Sequence, residues 1–213
     1  QNGTVDNSGA ITTTGEVSAV DNSGTITQLN NSGSISAPGW YGVYNHTSGV
    51  IGALTNSGTI SGTENSGAPT AGVYNEGTIT NLTNNAGAKI FAYEGVINSA
   101  TGTITTLTND GEISGSLTQP NVDAIRNYGI IGSLTNRGTI TSGNKGILNL
   151  NTLIILDNYG SILSVDGTEN NGSLSKLINE KSGTMIGNFG FYNNGTVDIL
   201  TNFGSIKGKQ WVG

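Results

Sequence analysis

The residues able to do chemistry are few: one histidine, His46, no cysteine, and fourteen carboxylates in a chain of 213 residues. A typical zinc site draws on several Cys or His ligands, and a lone histidine beside Thr47 and Ser48 cannot anchor one. His46 reads as a surface turn residue. Glycoside cleavage needs two carboxyl groups facing one bond. Asp21 and Glu169 stand at equivalent outward positions but far apart along the chain. Asp110 and Glu112 are close neighbours, with no basic residue expected above or below them, and read as a solvated pair. No G-x-S-x-G elbow occurs and no two glycines are separated by a single residue, which removes the hydrolase turn and the dinucleotide fingerprint. The paired glycines and spaced aspartates of calcium-binding β-rolls are missing as well. The expectation is a chain that is not an enzyme, with no catalytic, cofactor or metal-binding residue.

Binding is the chemistry that remains. Exposed aromatic rings and arginine are the usual anchors of interfaces, and Trp40, Tyr41, Tyr44, Tyr74, Pro120, Asn121 and Arg126 are the candidate partner-binding residues. The same rings would equally serve to cover strand backbone and stack on one another. The formal charge of -6 with only eight Lys and Arg leaves no basic cluster for a phosphate backbone, so no nucleic-acid partner is expected. No apolar run approaches the roughly 20 residues of a membrane helix, so this segment is not expected to insert in a membrane. Thr-Ile-Thr segments invite comparison with flat threonine arrays that order water, but Val50 with Gly52 and Ile130 with Gly132 interrupt that lattice.

These residues are positioned by a repeat. One asparagine recurs at positions 22, 45, 75, 98, 127, 149, 170 and 193, and a second at 7, 31, 56, 84, 109, 136, 158, 179 and 202. A period of about 22 residues signals a solenoid. Apolar ladders run between and after the asparagines: Ile26 to Val197, Leu29 to Leu200, Ile11 to Ile206, and Val20 to Phe191. Segments such as Gly24-Thr25-Ile26-Thr27 alternate apolar and polar residues, as half-buried strands do. Stacking such strands at about 4.8 Å lays Ile over Ile. The fold predicted is therefore all-β, a right-handed parallel β-helix of eight to nine coils and about 40 Å in length. Glycines such as Gly24, Gly77, Gly129 and Gly195 are assigned to corners needing positive φ. The asparagine amides are assigned to turn bonding and to coil-to-coil ladders.

Two corners are long: Ile60 to Val73 spans 13 residues and Ile113 to Ile125 spans 12. Loops 61–71 and 115–123 are expected to project from one corner of a single domain covering residues 1–213. Their bases should lie about 10 Å apart and share a surface with Trp40 and Tyr41.

Runs such as Asn56-Ser57-Gly58-Thr59-Ile60 and Gly72-Val73-Tyr74-Asn75-Glu76-Gly77-Thr78-Ile79 resemble the repeat-rich passenger regions of Gram-negative autotransporters and related adhesins. That resemblance implies an extracellular β-helix at the bacterial surface, acting in attachment to host or bacterial surface molecules or in self-association. The alternatives are a glycan-cleaving or glycan-binding β-helix and a passive stalk. Because the chain opens inside a repeat at Asn2, a piece of a longer rod is expected.

Overall fold

The computed structural model describes residues 3–63 and 70–209; the middle of loop 61–71, residues 64–69, lies outside the described residues. Twenty-six strands, with no helix among the described residues, form three parallel sheets of nine, nine and eight strands. Each of the first eight coils contributes one strand to each sheet and the ninth contributes to two, so strands pair with their equivalents in the neighbouring coils. The coil of Thr78–Asn84, Lys89–Phe91 and Glu94–Asn98 is representative.

The first sheet shows how sequence sets the path. In Thr103–Asn109, residues Ile104, Leu107 and Asn109 are buried while Thr105 and Thr106 both face out. Strict alternation would place Ile104 and Leu107, three apart, on opposite faces. Two consecutive outward residues bend the strand, and both apolar side chains then reach the core. Register is kept from coil to coil: Ile79 pairs with Ile104, Leu82 with Leu107 and Asn84 with Asn109, and the same ladder continues to Ile131, Leu134 and Asn136. The four apolar ladders converge in one continuous core. That core is closed in the interior coils, whereas Leu200 in the last is 49% exposed.

The asparagines also point inward. Asn45, Asn75, Asn98 and Asn109 are fully buried. Each donates from Nδ2 to the Oδ1 of its equivalent in the next coil, at 2.8 Å for Asn45 to Asn75, Asn75 to Asn98 and Asn98 to Asn127, and at 2.9 Å for Asn109 to Asn136. The two ladders contain seven and eight such bonds, all running in the same direction.

The corner glycines correct one expectation. Among the described residues positive φ occurs at Gly87, Gly167, Gly190 and Asn121 only, and not at Gly24, Gly77, Gly129 or Gly195. What demands glycine is the coil beneath. A Cβ on Gly129 would overlap the carbonyl oxygens of Gly102 and Ser99, and one on Gly77 those of Gly49 and His46, whereas a Cβ on Gly24 meets nothing within 4 Å. Gly129→Ala is therefore expected to destabilise the chain by about 1–3 kcal/mol, as forced overpacking does. Gly24→Ala should fall within about 0.5 kcal/mol of the parent or gain slightly from a stiffer unfolded chain. Urea melts of the two variants check this, and equal losses would return the glycines to a role in backbone conformation.

Candidate functional site

The outer face of the third sheet carries the unusual chemistry. Its outward row runs in register through Asp21, Tyr44, Tyr74, Ile97, Arg126, Leu148, Glu169 and Tyr192. Trp40 and Tyr41 sit at the corner entering this face, Tyr44 on its strand Val43–Asn45, and His46 at the corner leaving it. One coil thus lays four rings across the sheet. Successive centroids are 5.3 Å apart from Trp40 to Tyr41 and from Tyr41 to Tyr44, and 3.7 Å from Tyr44 to His46. Tyr74 from the next coil stacks on Tyr41 at 4.4 Å. The result is an aromatic ledge, with Trp40 at its exposed end.

Carboxylates fix the polar edges of the ledge. The Tyr44 hydroxyl donates to Glu76 Oε2 at 2.8 Å, and His46 Nε2 is 2.7 Å from Asp21 Oδ1. Burial, then Tyr41 and Glu76, push the Tyr74 hydroxyl up to about 12. Tyr41 is raised by burial and then by Glu76 and Glu94, and Tyr44 by burial and then by its bond to Glu76. Each of these rings therefore stays neutral in an anionic neighbourhood.

A second cluster sits at the loop corner. The bases of both long loops bond to the corner between them: Tyr93 N donates to Thr63 O and Glu94 N to Thr70 O, both at 2.8 Å, while Ser116 N donates to Tyr93 O at 3.0 Å. Glu94 is completely buried there. Arg126 reaches it from two coils beyond Tyr74, with Nη1 2.7 Å from Glu94 Oε1. Its Nε donates to Asp123 Oδ2 and its Nη2 to the Asn121 carbonyl, both at 2.9 Å. Asp123, also fully buried, accepts from Asn144 Nδ2 and from Lys145 N through its other oxygen. Arg126 thereby clasps loop 115–123 onto the rod, and Asn121, the one described non-glycine residue with positive φ, forms the bend it grips.

No family model, curated protein or solved structure matches this chain. The chemistry of the corner therefore rests on its own geometry.

The seven candidate residues fall into two groups. Trp40, Tyr41, Tyr44 and Tyr74 come together as the ledge. Arg126 and Asn121 belong to the clasp, and Pro120 is exposed on the same loop. Arg126, read from sequence as an outward anchor, has its guanidinium committed to Asp123 and the Asn121 carbonyl and held 2.7 Å from Glu94, with its side chain only 18% exposed.

Two further expectations are corrected. Asp110 and Glu112 do have basic partners: Arg137 Nη1 is 3.4 Å from Asp110, and Lys89, paired in register with Glu112, brings its Nζ to 3.1 Å. The insertions in the repeat had hidden that alignment. His46 is more than a turn residue, since its ring covers Tyr44. Glu94 went unnoticed because Tyr93-Glu94-Gly95 reads as an ordinary corner, and its burial depends on loops remote in sequence. The electrostatic character of the ledge was legible in the charge distribution. The first 88 residues hold five carboxylates and no Lys or Arg, while the remainder holds nine and eight.

Proposed function

We propose that this chain is an adhesive and structural module, a stiff solenoid at the bacterial cell surface that presents one aromatic corner for attachment or self-association. The observation that carries this reading is the ledge: four rings and an imidazole packed against one another on one outer face of the rod. Rings placed outward on a rigid sheet form a contact surface that loses little conformational entropy on binding. The extracellular setting and the autotransporter-type organisation belong to the same proposal, supported by the repeat itself.

A glycan-cleaving alternative would draw on Glu94, a carboxyl whose pKa burial pushes up, near Asp123. Both carboxyls are fully buried beneath the loop, so no sugar reaches them in this conformation. The arrangement supports a structural clasp.

Microspheres coated with the chain are expected to adhere to epithelial or bacterial cells, or to clump, well above albumin-coated spheres. A Tyr44→Ala/Tyr74→Ala double variant should lose most of that adhesion. Adhesion by the wild type no greater than that of albumin would end the reading.

A further inference from the structure

The ledge has a chemical bias that narrows its partner. Its ring faces are electron-rich, and the charged groups beside them, Glu76 and Asp21, are anionic. No lysine or arginine occurs anywhere in residues 1–88, so His46, which meets Asp21, is the one side chain of that segment able to carry positive charge, and Glu76 has no such partner there. The Tyr44 hydroxyl proton is already committed to Glu76. What the ledge turns outward is the exposed Trp40 ring, the rims of closely packed tyrosines and the anionic acceptors beside them. A guanidinium brings five donors and no acceptor, and it stacks on aromatic rings. Attraction between a cation and a ring face is strengthened when carboxylates flank the ring.

Shape selects among cations. The rings do not close into a cage around a point: Tyr41, Tyr44 and Tyr74 fill the centre, packed on one another at 4.4 to 5.4 Å, and Trp40 and His46 extend that cluster, at 5.3 Å from Tyr41 and 3.7 Å from Tyr44. Such a filled, elongated platform suits the side chains of an extended peptide better than a single quaternary ammonium head. We propose that the aromatic ledge is a docking site for an arginine-bearing extended segment of a partner protein. The proposal rests on the adhesive reading and supplies its partner chemistry.

The test uses the chain as it stands with an acetylated tetra-arginine peptide and its citrulline counterpart, which has nearly the same shape without the charge. Fluorescence anisotropy should show binding of the arginine peptide that weakens as salt is raised, and far weaker binding of the citrulline peptide. Trp40→Ala and Glu76→Gln, both at the surface, should each weaken binding roughly two- to thirtyfold with unchanged thermal melts. Glu180→Gln, on a distant coil, should leave it unaltered. Equal affinity for the citrulline peptide, indifference to Trp40→Ala, or a loss with Glu180→Gln matching that with Glu76→Gln would overturn the site, the last two by reducing it to diffuse charge. Coated spheres that still adhere while the arginine peptide fails to bind would sink this site and leave the adhesive reading standing. Peptide binding without any adhesion would do the reverse.

Discussion

Asn109→Asp is expected to destabilise the chain by about 3–5 kcal/mol at neutral pH, more than Asn109→Ala. Asn109 is fully buried in the middle of its ladder. Its Oδ1 accepts from Asn84 at 2.8 Å, and its Nδ2 donates to Asn136 Oδ1 at 2.9 Å and to the Thr139 carbonyl at 3.1 Å. A carboxylate could still accept from Asn84, but it would face two acceptors with none of its own protons and would carry an uncompensated charge into the core. Alanine leaves only unpaired neutral groups, for which about 1–3 kcal/mol is expected. The two replacements also differ in pH dependence. The buried aspartate would have its pKa raised above about 3.9, so its protonated form could donate to Asn136 and the penalty should shrink as pH falls toward that value. Asn202 is the internal control. It accepts from Asn179 at 2.8 Å and is exposed, so Asn202→Asp should change little. Urea melts at pH 7 and pH 4 settle the point, and a loss below about 1 kcal/mol for Asn109→Asp would show that the ladder is not a directed chain of donors.

The ladders were legible because asparagine and the apolar residues recur at one period, and a stacked coil converts sequence period directly into contact. Leu54, Leu82, Leu107 and Leu134 needed no tertiary knowledge to be placed over one another. The direction of the amide chain was not legible, since every Asn side chain carries both a donor and an acceptor. The glycine role was misassigned for a related reason. Sequence shows that a Cβ is unwelcome at Gly129, but both positive φ and a carbonyl pressed from the coil beneath exclude it, and only coordinates separate the two. At the candidate site, Tyr44 and Tyr74 could be placed in one row because both immediately precede a ladder asparagine. Glu94 could not be found, because its burial follows from residues 63, 70 and 116 arriving from two different corners.

Glu94 has the largest consequence for pH. Its 2.7 Å approach to Arg126 would ordinarily indicate an ion pair, but three features favour the neutral acid. The carboxyl is wholly buried, neither oxygen has an aligned hydrogen bond, and Asp123 competes for the same guanidinium. Burial, opposed by Arg126 and helped by Asp123, pushes the Glu94 carboxyl up to about 8 from its ordinary 4.5. Between those values the folded chain holds a proton that the unfolded chain has released. The contribution of Glu94 to stability is therefore complete below about pH 4.5 and is lost as pH rises through about 8, at about 1.4 kcal/mol per pH unit, or roughly 4–5 kcal/mol in all. Glu94→Gln copies the shape of the neutral acid and has no proton to lose. Measured as a difference from wild type, which cancels the other carboxylates, the variant should gain stability steadily from pH 4.5 to 8 and be clearly the more stable at pH 9. Because Glu94 N bonds to Thr70 and Arg126 clasps Asn121, charging this group should also loosen loop 115–123 first, seen as faster amide exchange there than in the first sheet. A difference curve that stays flat, or a Glu94→Gln variant weaker than wild type at pH 9, would mean that Glu94 is ionised and bound to Arg126. The clasp would then be a buried ion pair, and losing one partner would leave the guanidinium short of an anion.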